Sequence, residues 1–428
     1  MNLSDKLNLI LKEYSHGNKA SAYKKFKKIY LKNNKNIKLR YNLAVMQQEL
    51  GLLDEAELNY ISLIKINEDA KYKINLYNLY LTKGLYQNAL DLINTIQSKN
   101  LSLIQVNRDK AYILYLLKNY NDSINECNKI LKTNRQDANT LNTLGLCYLL
   151  IKKYDEANKI LLEALTLDNK NIKILNSLGR LNHDLRKSKE AEIYFDKAIN
   201  LNPNSFETLN NMAGFYLEEG QYQKTIQFYK KAEKLKPNNS VLINNLAKTF
   251  ICINDLKEAE KHSRRAISID QKNNDFKKTL SIILLKKYDF KNAWLSFDGR
   301  LKLLDFSEKN PTLKLIQTKI PYNKILEKNS KILILREQGI GDEILYGTMY
   351  FDLLNEFSNL MIECDKRLMP LFKNSFPSHK EKFVTLGTYS SNIKKINTFD
   401  HIIYAGSLGK YFRNELNSFS QNSYLKSI

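Results

Sequence analysis

Cysteine and histidine are scarce in this sequence. Its 428 residues include 4 cysteines and 5 histidines, and both kinds are scattered along the chain. No CxxC pair occurs, whereas a disulfide framework or a structural metal site usually shows closely spaced ligands. We therefore predict no metal site, and we interpret the thiols as packed and free in a reducing cytoplasm. The cysteines are Cys127, Cys147, Cys252 and Cys364.

Long apolar runs are also missing. A membrane-spanning helix needs about 20 predominantly apolar residues, and no such stretch occurs, so we predict no membrane span. The residues from Met1 to Tyr14 mix charged and apolar side chains with helical spacing. They lack the uninterrupted apolar core of a signal peptide. Together with the free thiols, this predicts a cytoplasmic protein.

The charge is strongly positive, but arginine is rare. The net charge is +22, and only 11 of the 67 basic residues are arginine. The excess is lysine, which accompanies much asparagine, isoleucine and tyrosine and is spread over the whole chain. No basic run with interleaved aromatic residues occurs, as single-strand binding would need. We therefore predict no nucleic-acid partner, whereas an acidic partner or an anionic surface is compatible with the charge.

Small residues recur at a fixed spacing between Asn139 and Asn273. Glycine or alanine, and once threonine, stands at three places in each unit of 34 residues. Small side chains are needed where two helices approach to about 8–10 Å. The period therefore predicts an α-solenoid of stacked helix pairs, each packed on its neighbours. The recurring positions are Gly145, Gly179, Ala213 and Ala247; Ala157, Ala191, Thr225 and Ala259; and Ala164, Ala198, Ala232 and Ala266.

The pattern extends in both directions from this stretch. Gly17 and Gly51 are one period apart, and weaker copies follow, which makes eight repeats in all. A ninth helix pair, from Asn274 to Phe306, keeps the period and is predicted to cap the array. We predict a solenoid over residues 1–306 and a surface linker over residues 307–330. One face of the cap should cover whatever follows, and it carries Trp294, Phe297 and Leu301.

One copy of the unit is especially regular. From Asn176 to Ser205 it reads NSLGRLNHDLRKSKEAEIYFDKAINLNPNS, with Leu178 and Gly179, then Ala191 and the terminal Pro203. This pattern resembles the tetratricopeptide repeat (TPR) family. The resemblance implies a right-handed superhelix whose concave groove binds a protein or a peptide. It leaves the oligomeric state open.

Asparagine recurs on the predicted inner helices. A polar ladder there would hydrogen-bond an extended peptide backbone without reading its side chains. By resemblance, the TPR superhelix of O-GlcNAc transferase uses asparagines near this place in that way. The alternative is that the ladder reflects the high asparagine content and the ordinary TPR preference for asparagine before Leu-Gly. The predicted groove residues are Asn142, Asn176, Asn210 and Asn244, with Asn211 and Asn245 at the next position.

After residue 330 the period of the sequence changes. Short apolar runs alternate with helical stretches, which is typical of a doubly wound parallel sheet. We predict a small Rossmann-like α/β domain over residues 331–428. The predicted strands are Lys331–Leu335, Leu360–Glu363, Phe383–Leu386 and His401–Tyr404, and the predicted helices are Glu343–Glu356 and Asp365–Asn374.

The first loop of this domain is a candidate site. REQGIGDEIL, from Arg336 to Leu345, follows the first strand and opens a helix, where ligands gather in open α/β sheets. Gly339 and Gly341 are expected to permit a tight turn and a close backbone approach. The helix N-terminus offers free N–H groups to an anion. The loop is neither the dinucleotide fingerprint nor a Walker A loop.

The same loop resembles the first loop of bacterial glycosyltransferases of the heptosyltransferase type, which have two facing Rossmann-like domains. Ile362–Pro377 and Gly406–Asn414 also resemble proteins in which TPR repeats are fused to such a domain. The resemblance implies that Asp342 is the general base that deprotonates an acceptor hydroxyl. From the residues of the loop alone, helix capping is the favoured alternative for Asp342, and the fused TPR context makes the two roles about even. The predicted substrate-binding residues are Glu337, Gln338, Gly339 and Gly341. The alternative is that Glu337 and Gln338 are solvated loop residues and that the glycines are ordinary residues of a strand-to-helix turn.

The likeness covers only the first of the two Rossmann-like halves. In that family the donor sugar nucleotide binds the second half, so we predict no cofactor in this chain and a nucleotide sugar only if a second domain exists. The sequence predicts a TPR protein or peptide binder whose glycosyltransferase-like end presents an acceptor but is incomplete or inactive alone. The alternative is a non-catalytic TPR scaffold for the assembly of protein complexes.

Overall fold

The computed structural model describes residues 3–96, 103–303, 311–321, 326–337, 339–419 and 423–426. The contacts of the chain divide it into two compact units, Met1–Asn211 and Met212–Ile428. We call these unit 1 and unit 2 and describe each by itself. Gln338, one of the predicted substrate-binding residues, lies outside the described residues.

Unit 1 is an array of helix pairs, in which a short turn joins the first helix to the second. The first helices begin at polar caps: the side chains of Asn36, Asp137 and Asn171 each accept a hydrogen bond from a backbone N–H in the first turn. Such a cap stabilises a helix by about 1 kcal/mol. The helices are α1 (Leu3–Ser15), α2 (Lys19–Lys32), α3 (Ile37–Glu49), α4 (Leu53–Ile66), α5 (Ala70–Thr82), α6 (Tyr86–Ile93), α7 (Leu103–Leu116), α8 (Tyr120–Thr133), α9 (Ala138–Leu150), α10 (Tyr154–Leu167), α11 (Ile172–Asp184) and α12 (Ser188–Leu201), and α13 (Phe206–Glu218) begins in this unit.

The turn inside each pair contains one residue with positive φ, and this residue recurs at the period of the repeats. Gly17, Gly51 and Gly84 hold it at the start of the chain, with φ of 96°, 78° and 72°. Later pairs use Lys118 and Arg186 at φ of 63° and 61°. A residue with a Cβ pays about 1–2 kcal/mol for this conformation. The helix packing on either side therefore imposes the turn even where glycine is absent.

The predicted small residues lie where the paired helices cross. A Cβ added to Gly179 would stand 2.5 Å from the Phe195 ring, and one added to Gly145 would stand 2.6 Å from Leu161. Ala191 is fully buried in the same layer. Both clashes are well below normal van der Waals contact, so the second helix of each pair packs directly on the backbone of the first. The helix pairs predicted from the 34-residue period are confirmed.

Unit 2 continues with helix pairs and then changes to an α/β fold. The helical part contains α14 (Tyr222–Leu235), α15 (Ser240–Cys252), α16 (Leu256–Ile269), α17 (Asn274–Lys286), α18 (Phe290–Phe297) and the 3₁₀ helix Asp298–Leu303. The α/β part contains the strands β1 (Ile332–Leu335), β2 (Leu360–Cys364), β3 (Phe383–Thr385) and β4 (His401–Tyr404). Its helices are α19 (Pro311–Thr318), α20 (Ile340–Gly347), α21 (Tyr350–Glu356), α22 (Met369–Ser375), α23 (Ile393–Ile396) and α24 (Gly409–Phe412), with 3₁₀ helices at Pro377–Lys382, Ala405–Leu408 and Leu416–Ser418.

The strands form one parallel sheet in the order β3-β2-β1-β4. Ile332 of β1 is opposite Leu360 of β2 on one side and opposite His401 of β4 on the other. Both faces are covered, as the continuous apolar runs of the strands require. Tyr346, Tyr350, Phe372 and Phe383 belong to the core on one face, and Leu301, Ile316, Ile396 and Phe399 belong to the core on the other.

The cap of the helical part packs on the α/β part within unit 2. The Trp294 indole Nε1 donates to the backbone oxygen of Arg413 at 2.6 Å. Gly409 lies against the same ring, since a Cβ there would stand 2.7 Å from it. Leu301 is fully buried in the core beneath the sheet. Trp294 and Leu301 thus cover the following domain, but Leu301 lies in the 3₁₀ helix after α18 and not on the single α-helical face that the spacing predicts.

Three predicted elements need correction. The segment 307–330 contains α19, because proline is accepted at the first position of a helix and Pro311 begins one. The predicted helix Glu343–Glu356 is two helices, which separate after Gly347, where Phe372 and Tyr424 press on the backbone. The helix predicted from Asp365 begins only at Met369, because the Asp365 carboxylate accepts the N–H of Arg367 and forms a turn first. The predicted domain boundaries stay predictions.

None of the described helices is both long enough and apolar enough to span a lipid bilayer.

Candidate functional site

A groove in unit 1 is lined by the first helices of four successive pairs. Those helices are α7, α9, α11 and the start of α13, and they contribute polar, charged and aromatic side chains. The groove brings together three of the predicted ladder residues, Asn142, Asn176 and Asn211. The complete lining is Tyr112, Tyr115, Asn142, Leu146, Lys173, Asn176, Ser177, Arg180, Glu207 and Asn211.

The predicted asparagine ladder has two kinds of member. Asn142, Asn176 and Asn244 are only 7%, 2% and 1% exposed. The Asn176 Nδ2 donates to Thr208 Oγ1 at 3.0 Å, and the Asn244 Nδ2 donates to Asp275 Oδ2 at 3.4 Å. The Asn176 and Asn244 amides therefore join one first helix to the next, while the amide oxygens of all three asparagines are buried without a hydrogen-bond partner among the described residues. Their role toward a peptide stays a prediction. Three other members of the ladder are half-exposed: Asn210, Asn211 and Asn245. That they hydrogen-bond a peptide backbone stays a prediction.

Two cations stand on one face of α11 inside the groove. Lys173 is exposed and Arg180 is half-buried, and a spacing of seven residues puts them two turns apart on the same side. Within the described part of the chain, neither side chain has an ion-pair partner. Ser177 lies between them and donates its hydroxyl to the Lys173 carbonyl at 2.9 Å. The ladder reasoning missed these residues because it compared positions between repeats and not along one helix.

Two tyrosines form the aromatic part of the groove. The Tyr112 and Tyr115 rings stack with their centroids 5.7 Å apart and an interplanar angle of 21°. Loss of water around the phenol raises the pKa of Tyr112, although the side chain is still 43% exposed. The two rings offer a flat apolar surface next to the cations of α11, and each phenol keeps a hydrogen-bonding group.

The second candidate site is the carboxyl edge of the parallel sheet in unit 2. There the predicted substrate residue Glu337 is engaged by Arg300 of the cap: Nε donates to Oε2 at 2.9 Å and Nη2 donates to Oε1 at 2.6 Å. The Arg300 and Glu337 side chains are only 5% and 7% exposed. The Gly406 N–H also donates to this carboxylate at 2.5 Å. Glu337 is thus a buried ion-pair partner and not a solvated loop residue.

This ion pair lies where a ligand would enter a sheet of this topology. β1 and β4 are parallel neighbours, so Glu337 after β1 and Ser407 after β4 meet at the same edge, at the point where the strand order reverses. The Arg300 Nη2 donates to the Ser407 Oγ at 3.0 Å and Nη1 donates to Asp298 Oδ1 at 3.2 Å. The Arg300 guanidinium therefore contacts one residue that follows β1, Glu337, and one that follows β4, Ser407.

Asp342 and the two predicted glycines occupy the start of α20. The Asp342 carboxylate is half-buried, and its Oδ2 accepts the Gly339 N–H at 3.2 Å, which is a capping contact. Gly339 has φ of −90°, and a Cβ on Gly341 would meet nothing within 4 Å. The observed backbone at these two positions would therefore also accept a residue with a Cβ. The roles of Asp342, Gly339 and Gly341 toward a substrate stay predictions.

Glu343 is a buried acid that the sequence reasoning missed. It is fully buried, and its Oε1 accepts the Asp365 N–H at 2.9 Å. The Arg336 Nε stands 3.2 Å from its Oε2, and the Arg336 Nη1 donates to Asp365 Oδ2 at 2.6 Å. Burial raises the pKa of Glu343, whereas the Arg367 side chain lowers the pKa of Asp365. These groups tie β1, α20 and β2 together at the sheet edge.

Replacement of Glu343 by glutamine should change the pH dependence of stability. Because the folded pKa of Glu343 is raised, the native state binds this proton more tightly than the unfolded chain does, and stability is lost as pH rises through the folded pKa. The glutamine side chain does not titrate, so the variant does not lose stability in this way as the pH rises. The variant should therefore gain stability relative to the wild type between about pH 4 and pH 7. Urea unfolding at both pH values tests this, and a constant difference would contradict it.

The family models identify the helix pairs. Residues 117–198 match the model described as anaphase-promoting complex, cyclosome, subunit 3, and residues 194–227 and 216–283 match two tetratricopeptide-repeat models. The helix pairs of this stretch are tetratricopeptide repeats. The predicted TPR resemblance is confirmed for this part of the chain. None of these matches extends beyond residue 283, so the predicted glycosyltransferase resemblance gains no support from them.

One solved structure with a TM-score above 0.5 supports the TPR fold, and two others are similar over part of the chain. A tetratricopeptide repeat protein from Parabacteroides merdae is similar with a TM-score of 0.51 and 20% identity, over 58% of this chain and 98% of that one. PilW, a type IV pilus biogenesis factor, gives 0.43 and 18%, over 49% and 97%. The anaphase-promoting complex hetero-tetramer Cut9-Hcn1 gives 0.47 and 13%, over 73% and 66%. Comparison with curated proteins gives no significant match.

Three of the four cysteines are inert parts of the packing. Cys127, Cys147 and Cys364 are buried, whereas Cys252 of the TPR array is exposed. Burial raises the pKa of the Cys127 and Cys364 thiols to about 12, and it also raises the pKa of Cys147. Within the described residues no group of cysteine, histidine, aspartate and glutamate side chains is arranged to hold a metal ion.

A thiol reagent should therefore distinguish Cys252 from the other three. At about pH 8 the native protein should react rapidly with an aromatic disulfide reagent at one thiol, and the protein in denaturant should react at all four, because only a thiolate attacks. Absorbance of the released thiol counts the sites. Cys252→Ser should remove the rapid phase, and rapid reaction of a second thiol in the native protein would contradict the packing described here.

Proposed function

We propose that the TPR array binds an extended segment of another protein in the groove of unit 1. The observation that carries this proposal is the pair of cations on α11, Lys173 and Arg180, which line a groove without an ion-pair partner in the described part of the chain. A charge kept in a groove without a partner suits a charged ligand. The proposed segment places a carboxylate between Lys173 and Arg180.

The neighbouring side chains support an extended ligand with mixed chemistry. Tyr112 and Tyr115 offer a stacked aromatic surface at one end of the lining. Asn211, which is half-exposed, offers its amide to a peptide backbone. Glu207 lies at the start of α13 and would oppose a second carboxylate near it. The preferred segment therefore carries one acidic side chain and one aromatic or aliphatic side chain for the tyrosine pair.

Peptide selection tests the proposal. Random dodecapeptides displayed on phage would be selected on the intact chain, and the recovered peptides synthesised with a fluorescent label for anisotropy titrations. The selected peptides should share Asp or Glu, and replacement of that residue by its amide should weaken binding by about tenfold or more. Arg180→Glu should have a comparable effect.

The matched control is Lys189→Glu. Lys189 is an exposed residue of α12, the second helix of the same repeat, and it lies outside the groove lining. The Lys189→Glu substitution changes the net charge of the protein by the same amount as Arg180→Glu. Equal losses with both variants would show that only the overall charge matters. A selection without enrichment of acidic residues would also contradict the proposal.

Glycosyl transfer with Asp342 as general base is a second proposal. The observation that favours it is the position of Asp342 at the N-terminus of α20, beside the carboxyl edge of a parallel sheet. Release of the labelled sugar from a nucleotide sugar in the presence of the purified chain tests it. Transfer that is lost in a folded Asp342→Asn protein would support this role. A folded chain that neither binds nor consumes nucleotide sugars favours the alternative, a non-catalytic TPR scaffold.

The predicted cytoplasmic location, the absence of a nucleic-acid partner and the substrate role of Gln338 stay proposals. Each has a direct measurement: cell fractionation, titration with single-stranded and duplex nucleic acid, and kinetics of a Gln338→Ala protein once a transfer activity is known. Binding of nucleic acid that survives physiological salt would contradict the second, because a purely electrostatic attraction of a lysine-rich surface falls steeply with salt.

A further inference from the structure

Unit 1 contains a second concavity, which we call the outer cleft. It lies between α8 and α10, the second helices of two successive repeats, and α9 contributes to its lining. Its volume of about 890 Å³ is within the range of ligand sites. The outer cleft and the groove use different faces of α9: Leu141, Leu144 and Tyr148 face the cleft, whereas Asn142 and Leu146 face the groove.

Five of the eleven residues that line the outer cleft are apolar or aromatic, and three of these five are incompletely buried. Leu131 of α8, Tyr148 of α9 and Ile160 of α10 pack together against the core around Leu144, yet each stays half-exposed. They come from three helices and converge on one cavity. Contiguous apolar surface rimmed by polar groups marks a site of protein interaction on a soluble domain.

The rim of the outer cleft is basic. Lys132, in the last turn of α8, and Arg135, just after it, are exposed, and neither has an ion-pair partner within the described part of the chain. Lys129 also lies at the rim, but it pairs with Glu126 at 2.9 Å. Glu163 of α10 is the acidic residue of the lining. The rim therefore keeps an excess of positive charge, and part of it is unpaired.

The two cations of the rim and the tyrosine of α9 are not repeated in the next unit of the array. One period later, Thr166 and Asn169 stand at the places of Lys132 and Arg135. Asn182 stands at the place of Tyr148, where it is buried and donates its amide to the Leu178 carbonyl at 2.8 Å. The next interhelical position thus lacks the two unpaired cations at the end of the second helix and the tyrosine of the first helix, although Tyr194 and Lys197 stand at the places of Ile160 and Glu163.

We propose that the outer cleft docks an acidic amphipathic helix of a partner protein. α8 and α10 each have 14 residues, which corresponds to a length of about 21 Å, and a third helix lying between them would pack its side chains into theirs. Its apolar stripe contacts Leu131, Tyr148 and Ile160. Its acidic side chains pair with Lys132 and Arg135. An extended segment would leave the apolar lining poorly filled.

The test uses designed peptides on the intact chain. The probe is a labelled peptide of leucine and glutamate, about five helical turns long, with one leucine stripe. Its two controls are a scrambled peptide of the same composition and a striped peptide of leucine and lysine. Anisotropy titrations should show the acidic striped peptide binding at least about tenfold more tightly than either control.

Variants of the rim locate the binding. Lys132→Glu combined with Arg135→Glu should weaken binding of the acidic striped peptide by about tenfold or more. Thr166→Glu combined with Asn169→Glu is the control at the equivalent positions one repeat later. It lowers the net charge by two instead of four and should leave binding within about twofold of the wild type. Ile160→Ala should weaken binding without changing its salt dependence. Far-ultraviolet circular dichroism confirms that each variant is folded.

Each remaining outcome overturns the proposal. Equal binding of the striped and scrambled acidic peptides means nonspecific attraction to a basic protein. Loss of binding with Arg180→Glu but not with the rim variant assigns the peptide to the groove. A concentration-dependent mass in sedimentation that is abolished by the rim variant assigns the cleft to a second copy of the chain. Binding of a small apolar dye without binding of any striped peptide would mean that the outer cleft is a small-molecule cavity.

Discussion

Replacement of Arg300 by alanine should lower the free energy of unfolding of unit 2 by about 3–5 kcal/mol. The guanidinium donates to Glu337, Ser407 and Asp298, and the substitution leaves the Glu337 carboxylate buried with the Gly406 N–H as its remaining donor. An uncompensated buried charge costs far more than the pair itself contributes. The cap would also lose contact with the sheet edge that it covers.

Fluorescence of Trp294 measures this effect. It is the only tryptophan of the chain, and its indole bonds to Arg413 across the same junction, so urea unfolding of unit 2 should change its emission. The control is Arg264→Ala, which removes an ion pair to Glu260 whose arginine is 56% exposed. Such an exposed pair contributes about 0.3–0.5 kcal/mol.

The same pair predicts a non-additive result. Once Arg300 is absent, removal of the Glu337 carboxylate as well takes away the unpaired charge, so the double alanine variant should be less destabilised than the sum of the single variants. Additive losses, or a loss below about 1 kcal/mol for Arg300→Ala, would mean that the two side chains do not form the buried pair described here.

Replacement of Phe195 by alanine should destabilise unit 1 by about 3–5 kcal/mol. The ring is 1% exposed and lies directly on Gly179, where no side chain can take its place. The cavity would therefore stay open between the two helices of the repeat. Thermal unfolding followed by far-ultraviolet circular dichroism measures the loss. Ile193→Ala in the same helix is the control, because Ile193 is 52% exposed and should change stability by less than about 0.5 kcal/mol.

The opposite substitution tests the same contact from the other side. Gly179→Ala places a Cβ 2.5 Å from the Phe195 ring, and overpacking of this kind costs about 1–3 kcal/mol. A smaller partner, Phe195→Leu, should recover part of that loss in the double variant. A stabilising effect of Gly179→Ala alone would show that the ring moves aside freely and that helix propensity decides the outcome.

The groove and the sheet edge differ in how far sequence reasoning reached. The helix pairs and the small residues at their crossings were predictable, because the period repeats and each unit contacts only its neighbours. The edge was predictable as a place, since β1 and the loop after it were recognisable from a short apolar run. The buried ion pair at this edge was not predictable, because Arg300 and Glu337 meet only through the packing of the cap on the sheet.

The asparagines show the same limit within a single motif. Asn176 and Asn211 both line the groove, yet one is 2% exposed and bonds to Thr208 while the other is half-exposed. Adjacent positions of a helix differ by about 100° in direction, so a one-position difference separates a packing residue from an accessible one. A row of similar residues in the sequence does not show which of them point into the packing between helices and which point into the groove.

By itself the sequence determined the TPR array, its period and the positions of the short buried strands, because these follow from local spacing and from which side chains must leave water. Only the tertiary structure decided that Arg300 neutralises Glu337 at the sheet edge, that Lys173 and Arg180 line the groove, and that Tyr148 is left half-exposed between α8 and α10. These are contacts between segments that are distant in the sequence, and their distances depend on how whole helices and strands pack.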